Sequence, residues 1–530
     1  MTDFILLGIT IALSVAPLAL AARFNLHMLQ LNGYVNSEHF TWLNENFKKQ
    51  WLLLAICAAG IMQIVFISVW LLIVSWLFLL LTFVIYRLMK EMYDKKPLHY
   101  TTRAKRMLVT DSIFCLIISG LTYWILGPLA TSGAICLCVG LQFVLVPFSN
   151  TVNRPVEHLV RDFYINQAKK RLRSCENLTI IGVTGSYGKT SMKFYLQELL
   201  SSKFNVLVTP ESYNTPMGIV KTIRESLTPA HDIFICEMGA RYVGEIKEIC
   251  DIVHPHHGVI TAVGPAHLMT FGSLDNIAKT KFELADALPE DGKLFLNFDS
   301  ELVAKQLFKR IDEKKLNNVV AYSAANGSEV DYVSSIESVT CDGTDFSVTQ
   351  GGKTLDFHTR LVGSHNVINI TGAIAVATEM GVDPQELCSQ VRRIKSVPHR
   401  MELKRQGRIT ILDDAFNSNP VGSKAAVETL ALFDGMRILI TPGMVELGDK
   451  EDDYNFAFGG YAAKCCDWIV LVGEEHTRPI KNGALREGFD ENKIRVYNTF
   501  TEAINFAYKI DCDGKQAFIL LENDLPDNYS

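Results

Sequence analysis

The chain has no Cys-x-x-Cys pair, no Gly-x-Gly-x-x-Gly turn and no strongly basic balance, and each lack closes off a class of function. Its 12 cysteines are scattered, four of them (Cys57, Cys115, Cys136, Cys138) in apolar segments. Neither a structural zinc site nor a disulfide framework is signalled, and the soluble part reads as cytosolic and reduced. Without the dinucleotide fingerprint there is no case for NAD. A net charge of −6 over 530 residues gives no sign of a nucleic-acid partner. Charge is scarce in one region only. Nearly all long uncharged runs lie before residue 150, and the rest has the mixed composition of a soluble α/β protein. The length allows about three domains, each able to bury a core.

Phe4 to Ala22 is uncharged and long enough to cross a bilayer as one helix. Ala19-Leu20-Ala21 could imitate a signal-peptide cleavage site, but Asp3 stands where a positive n-region would be, so a retained helix is expected. Trp51 to Tyr86, uncharged throughout, would be about 54 Å long as one helix, against a hydrocarbon core of about 30 Å, and so reads as two spans. Met107 to Leu126 and Leu129 to Phe148, broken at Gly127-Pro128, form a second pair. Residues 1–150 thus read as a multi-span α-helical membrane domain of five helices. Lys and Arg collect between Arg87 and Arg106 and again at Arg154, Arg161, Lys169, Lys170, Arg171 and Arg173. Both stretches are expected in the cytoplasm, with Lys48 and Lys49 inside and the N-terminus outside. Asp111 is the only charge within a proposed span and lies in its first turns, which argues against an ion pathway and for an anchor or a cradle for lipid. Residues 151–177 read as a basic linker.

Leu178 to Ser191, LTIIGVTGSYGKTS, is an apolar strand emptying into a glycine-rich turn and a helix start. Such a turn aims several N–H groups and a helix dipole at one spot and is suited to phosphate. Gly185, Ser186, Tyr187, Gly188, Lys189, Thr190 and Ser191 are the candidate nucleotide-binding residues, Lys189 for the β/γ-phosphates and Thr190 for Mg²⁺. The strict Walker spacing is missed, because Val183 stands at its first glycine position. A tight strand-to-helix turn that happens to carry a lysine is the plainer alternative.

Strand-like runs at Val206–Val208, 232–236, 258–263 and 294–296 alternate with helix-length segments, which predicts a P-loop domain built on a parallel sheet over 178–402. Ligands in such sheets sit beyond the carboxyl ends of the strands, where Glu237 and His267 fall. Taken singly, each is more often just solvated than a ligand. Lys281, in the helical pattern Ile277, Lys281, Leu284, Leu288, reads by pattern alone as a snorkelling lysine. A second alternating set from Arg408 onward predicts a Rossmann-like C-terminal α/β domain over 403–530.

TGSYGKTS, Asn214-Thr-Pro-Met-Gly218, Glu237-Met-Gly-Ala240, His267-Leu268, Ala278-Lys-Thr-Lys281, Gly363-Ser-His365-Asn366, Pro398-His399-Arg400, Asp413-Asp414-Ala-Phe-Asn417-Ser-Asn419 and Gly443-Met-Val-Glu446 resemble the ordered motifs of the Mur ligases. The resemblance covers about 175 to 510 and is closest to the branch that adds D-alanyl-D-alanine to a UDP-linked muramoyl tripeptide. It implies a membrane-anchored, ATP-dependent amide ligase acting through an acyl phosphate in cell-wall peptidoglycan precursor synthesis. Lys189 and Thr190 would serve ATP and a first Mg²⁺ with Glu237; His267 and Lys281, the latter as a carbamate, would serve a second Mg²⁺; Asn366 and Arg400 would touch nucleotide and Asp414 the ribose. Lys189, Lys281, His267 and Arg400 are the implied catalytic residues.

The chain departs from that pattern in two places. About 28 residues separate the last apolar run from Leu178, where the relatives carry a UDP-binding domain, so a lipid-linked carboxylate and membrane lipid are expected as partners beside an amine such as D-alanyl-D-alanine. The relatives' Lys-Gly-Ser-Arg-like segment after the last strand is replaced by Glu522-Asn-Asp-Leu-Pro-Asp527. A polyglutamate-type ligase, or a nucleotide-binding membrane assembly factor without catalysis, are the alternative functions.

Overall fold

The computed structural model describes residues 1–46, 51–89, 97–211, 213–312, 318–325, 330–340, 342–416, 418–445, 447–512 and 514–524. Lys48, Lys49, Lys90, Lys95, Lys96, Asn417, Glu446 and residues 525–530 lie outside the described residues. Two compact units emerge, divided between Asp162 and Phe163.

The first unit is helical: α1 (Thr2–Leu31), α2 (Asn36–Glu45), α3 (Trp51–Phe66), α4 (Val69–Met89), α5 (Thr102–Leu126), α6 (Pro128–Gly140) and α7 (Gln142–Arg173), the last running on into the second unit. The run 51–86 divides into α3 and α4, and the next pair breaks at Gly127 between α5 and α6. Among the described residues three helices are long and apolar enough to cross a membrane, and a fourth only if α6 and α7, bent by 76°, count as one broken span. Gly140, a poor helix former, stands just before that bend. Helix α3, with 16 residues, is short for a span. The stretch read as a basic linker is helical as far as Arg173. Large apolar side chains face outward, Trp70 80% and Trp124 83% exposed among them. A surface of that kind is far more apolar than water tolerates on a monomer, and tryptophans near helix ends suit a membrane interface.

Small residues let α3 and α6 touch backbone to backbone. A Cβ on Gly133 would lie 2.6 Å from the carbonyl oxygen of Gly60, and one on Gly60 would lie 2.7 Å from that of Gly133. Close approach of this type supplies packing energy where burial from water cannot.

The second unit carries two sheets. Nine strands, β1 (Thr179–Thr184), β2 (Val206–Val208), β3 (Ile233–Glu237), β4 (His257–Ile260), β5 (Leu294–Asn297), β6 (Val319–Ser323), β7 (Tyr332–Thr340), β8 (Gly343–Gln350) and β9 (Lys353–Thr359), pair in the order 2-3-1-4-5-6-7-8-9. The expected parallel sheet is therefore mixed. It is parallel as far as β7, after which β7, β8 and β9 form an antiparallel meander. Both faces of β1 are covered: Ile180 joins a core with Phe234, Ile249 and Leu284, while Ile181 and Val183 join one with Leu196, Ile370 and Val376. This is why the strand reads as an unbroken apolar run.

The second sheet has the order 10-11-15-12-13-14, from β10 (Glu402–Gln406), β11 (Ile409–Asp414), β12 (Met436–Thr441), β13 (Trp468–Val472), β14 (Ile494–Tyr497) and β15 (Ala517–Glu522). Only β10 is antiparallel to its neighbour. The doubly wound α/β layout expected for this region is present.

The helix contact gives a direct check. Gly133→Ala should lower the melting temperature of the detergent-solubilised protein by several degrees, a cost of about 1–3 kcal/mol for overpacking against backbone. Gly120→Ala, where a Cβ meets nothing within 4 Å, should leave it unchanged or raised. Equal effects at the two positions would contradict the packing described.

Candidate active site

The site gathers at the carboxyl ends of β1, β3 and β4. Gly185 (φ 148°) and Gly188 (φ 78°) turn the chain after β1 into α8 (Lys189–Leu200), and a Cβ on Gly185 would sit 2.0 Å from Thr261 Oγ1. The turn is stitched to the segment after β4. Ser186 Oγ donates to Gly264 O at 2.9 Å, Ser186 N to Ala262 O at 2.8 Å, and Tyr187 Oη to Pro265 O at 2.8 Å. Lys189 Nζ donates to carbonyls of the turn itself, Gly185 O at 2.7 Å and Ser186 O at 3.0 Å. Burial pushes this lysine down to about 8, with Glu237 acting against the shift.

Glu237, the last residue of β3, is 1% exposed. Its Oε1 accepts from Thr190 Oγ1 at 3.0 Å and from Asn214 Nδ2 at 3.3 Å. Its Oε2 is paired with Lys193 Nζ at 2.9 Å. Burial opposes ionisation, but Lys193 and Lys189 outweigh it and hold the carboxyl below its ordinary range. The result is a hydroxyl and an ionised carboxylate side by side at the foot of the phosphate turn. Hard oxygen donors of this kind fit Mg²⁺.

Arg400 reaches the same spot from the segment preceding β10. Its Nη2 lies 3.5 Å from Thr190 Oγ1 and its guanidinium 4.5 Å over the Phe416 ring, with burial lowering its pKa. Asp414 ends β11 and accepts from Met401 N at 3.1 Å; burial pushes it up to about 6.

Lys281 does not snorkel. It lies in the helix Leu274–Asp286, is 3% exposed, and has no hydrogen-bond or ion-pair partner among the described residues, its ammonium standing 5.7 Å from the centre of the Phe271 ring. The alternation of apolar residues around it gives it the buried face, and burial pushes it down to about 7, helped by Lys189. His267 caps the short helix Leu268–Phe271 with φ 52°. No cluster of three metal-ligating His, Cys, Asp or Glu occurs among the described residues. The first metal's expected donors, Thr190 and Glu237, are thus brought together, whereas Lys281 and His267 are not bonded to each other. The uncharged amine of Lys281 would not fit a hard cation unless it gained an oxygen.

Asn366, the expected nucleotide contact, lies in the first turn of the helix Ser364–Glu379. It is 4% exposed, accepts from Tyr195 Oη at 2.7 Å and donates to Val362 O at 2.8 Å. One turn on, Asn369 stands against Gly188, where a Cβ would meet its Oδ1 at 2.8 Å. Lys193 and Asn369 are the two site residues that the sequence reading missed. For Lys193 the signal was available: it is four residues after Lys189, on the same helix face, beside the buried stripe of Met192 and Leu196.

In the second sheet, Glu522 ends β15 and is 1% exposed. It accepts from the Ser418 hydroxyl, and from Thr441 Oγ1 at 3.1 Å. Asn523 (φ 69°) accepts from Ser418 N at 3.1 Å and donates to Gly443 O at 2.6 Å. The two residues that replace the basic segment of the relatives therefore tie together the loops following β11 and β12.

Comparison with known proteins agrees with this architecture. Residues 183–377 match the Mur ligase middle domain and 399–521 the Mur ligase glutamate ligase domain. The chain is 34% identical to the UDP-N-acetylmuramoyl-tripeptide–D-alanyl-D-alanine ligase of Mycobacterium tuberculosis over 360 residues, which cover 66% of this chain and 68% of that one. It is 29% identical to the Escherichia coli enzyme of the same name, over 56% of this chain and 65% of that one. The chain thus spans about two thirds of the length of these relatives. The crystal structure of MurF from Acinetobacter baumannii is similar with a TM-score of 0.61 at 25% identity, covering 68% of this chain and 77% of that one. The chain belongs to the Mur ligase family.

Glu522 gives a pH test. Burial, aided by Asp414 and opposed by its two hydroxyl donors, raises its carboxyl from 4.5 to about 8. The folded state then binds more protons than the unfolded one across that window, so the contribution of Glu522 is fully present below pH 4.5 and is lost as pH rises through about 8. Urea unfolding should show Glu522→Gln removing a downward slope of up to about 1.4 kcal/mol per pH unit in this window. Parallel profiles for the two proteins would contradict the assignment.

Proposed function

We propose that the protein is an ATP-dependent amide ligase which activates a carboxylate as an acyl phosphate in the synthesis of a cell-wall peptide precursor, at a membrane. The observation that carries this reading is the Thr190–Glu237–Lys193 group beneath a phosphate turn in a chain of this family. The turn N–H groups and Lys189 would hold the ATP phosphates. In doing so Lys189 exchanges the neutral carbonyls of Gly185 and Ser186 for anionic oxygens, which favours its charged form. Thr190 and Glu237 would hold Mg²⁺, which when bound neutralises charge on the transferring phosphoryl group.

An oxygen of the substrate carboxylate attacks the γ-phosphorus, the bond to ADP breaks, and an acyl phosphate forms. The amine then attacks the acyl carbon, the amide forms, inorganic phosphate leaves and the amine loses a proton. Arg400, already beside Thr190, would orient the phosphates, and Asp414 would contact the ribose. Lys281, whose neutral form is favoured by burial, is suited to take up CO₂ as a carbamate and so gain the oxygen that a second Mg²⁺ needs, with His267 as a companion ligand. The names of the relatives support D-alanyl-D-alanine as the amine and a muramoyl peptide as the carboxylate. The outward apolar faces of α1, α4 and α5 favour a lipid-linked form of that peptide.

Lys189→Ala should abolish ATP-dependent phosphate release, by about 10³-fold or more, in protein that circular dichroism shows to be still folded. Near wild-type turnover by the folded variant would overturn the phosphate-binding role. Lys281→Ala should lose activity that short carboxylic acids partly restore by supplying the missing oxygen; full activity of the variant would remove the carbamate from the account. In nanodiscs with ATP and D-alanyl-D-alanine, lipid-linked peptide should turn over faster than UDP-linked peptide, and the reverse order would reject the lipid-linked substrate.

A further inference from the structure

At one end of the helical unit, where the apolar run of α5 begins and that of α7 gives way to polar residues, side chains from three helices and the α1–α2 turn join in one network. Asn150 on α7 donates to Tyr34 O at 2.9 Å and to Asn36 Oδ1 at 2.8 Å, and it accepts from Arg103 Nη2 at 2.9 Å. The Arg103 guanidinium lies 4.1 Å from the centre of the Tyr34 ring. One turn further along α5, Arg106 binds Glu157 with two parallel bonds of 2.9 and 2.8 Å, which occupies both oxygens of that carboxylate.

The two arginines are treated differently. Arg106 has its counter-ion, whereas Arg103 has no carboxylate partner among the described residues, and its Nε is buried without a hydrogen-bond partner. An arginine that merely snorkels is held by nothing and keeps its head in water. Arg103 is instead stacked on one face and fixed at one nitrogen, at a cost in lost side-chain freedom and desolvation that Glu157, already paired with Arg106, offsets only in part. A rigid guanidinium fork with spare donors is the geometry that recognises a phosphate oxygen pair. Its level on the helices, at the junction of apolar and polar sequence, is where lipid phosphates lie if the unit spans a membrane.

We propose that Arg103, held by Asn150 and Tyr34, is the binding site for the phosphate group of a lipid. The proposal rests on the membrane reading given above and extends it from an apolar surface to a defined headgroup contact. Two lipids carry this chemistry: a bulk phospholipid, and a prenyl phosphate of the kind that would carry a lipid-linked peptide.

The test uses the full-length protein in non-ionic detergent micelles, titrated with a polyprenyl phosphate and with the matching uncharged polyprenol. The phosphate should bind at least about tenfold more tightly than the alcohol, a difference of about 1.4 kcal/mol. Arg103→Gln should erase that preference and Arg103→Lys should keep part of it. Equal binding of phosphate and alcohol to the unaltered protein, or an unchanged preference in Arg103→Gln, would overturn the proposal, and the first comparison needs no variant to fold. Displacement by dioleoyl phosphatidylglycerol at equal mole fraction assigns the site to bulk lipid, and resistance to it assigns the site to a prenyl phosphate. Extraction of cell membranes with alkaline carbonate checks the membrane reading separately: release of the protein would defeat that reading, while the headgroup preference would stand or fall on the titration.

Discussion

A buried carboxylate needs compensating charge, and Glu237 at the end of β3 is where this requirement shapes the second unit. An isolated ionised carboxyl at 1% exposure would cost several kcal/mol, so it survives only with Lys193, Lys189, Thr190 and Asn214 converging on it. Those partners come from α8 and from the loop after β2, and they fix the start of α8 against the end of β3. The phosphate turn is thereby held at one height above the sheet. Arg400 brings a further cation to the same point, so that Glu237 is ringed by basic side chains. That balance suits a polyanionic nucleotide with a divalent ion: Glu237 would hold the ion, and Lys189 and Lys193 would then be free to face phosphate.

The helical unit obeys a different constraint. Its exposed surface is too apolar for water, so its stability must come from close backbone contact, as at Gly60 and Gly133, and from the few polar groups it does bury. The polar network around Asn150 is one of these, and it includes Arg103, a cation with no carboxylate ion-pair partner among the described residues. The network and the ligase site answer the same physical problem, compensation of charge out of water, one with a built-in acid and the other with an anion from outside.

Much of this was legible in the residues. The strand Thr179–Thr184, the glycine turn, Thr190 and the strand-end position of Glu237 follow from apolar runs and punctuation, which are local signals. Lys281 is assigned to the site by resemblance; pattern alone suggests a solvated lysine, because only tertiary packing shows which face of an amphipathic helix is closed. Lys193 escaped for a related reason, as its meaning depends on Glu237, 44 positions away in sequence. The antiparallel strands β7 to β9 were missed although Asp342-Gly343 and Gly351-Gly352 are strong hairpin signals between alternating runs. Asn366 is assigned to nucleotide by resemblance alone, and its bonds to Tyr195 and Val362, which orient the amide, have no local signal in the sequence. The bend between α6 and α7 had no strong marker beyond Gly140.

The central claim is that ATP is used to activate a carboxylate and not simply hydrolysed. Carrying a heavy-oxygen label on the carboxylate of the peptide substrate and following it by mass spectrometry tests this most directly. Acyl-phosphate chemistry predicts one labelled oxygen in each inorganic phosphate released, in step with amide formation; phosphate that takes its oxygen from water alone would contradict it.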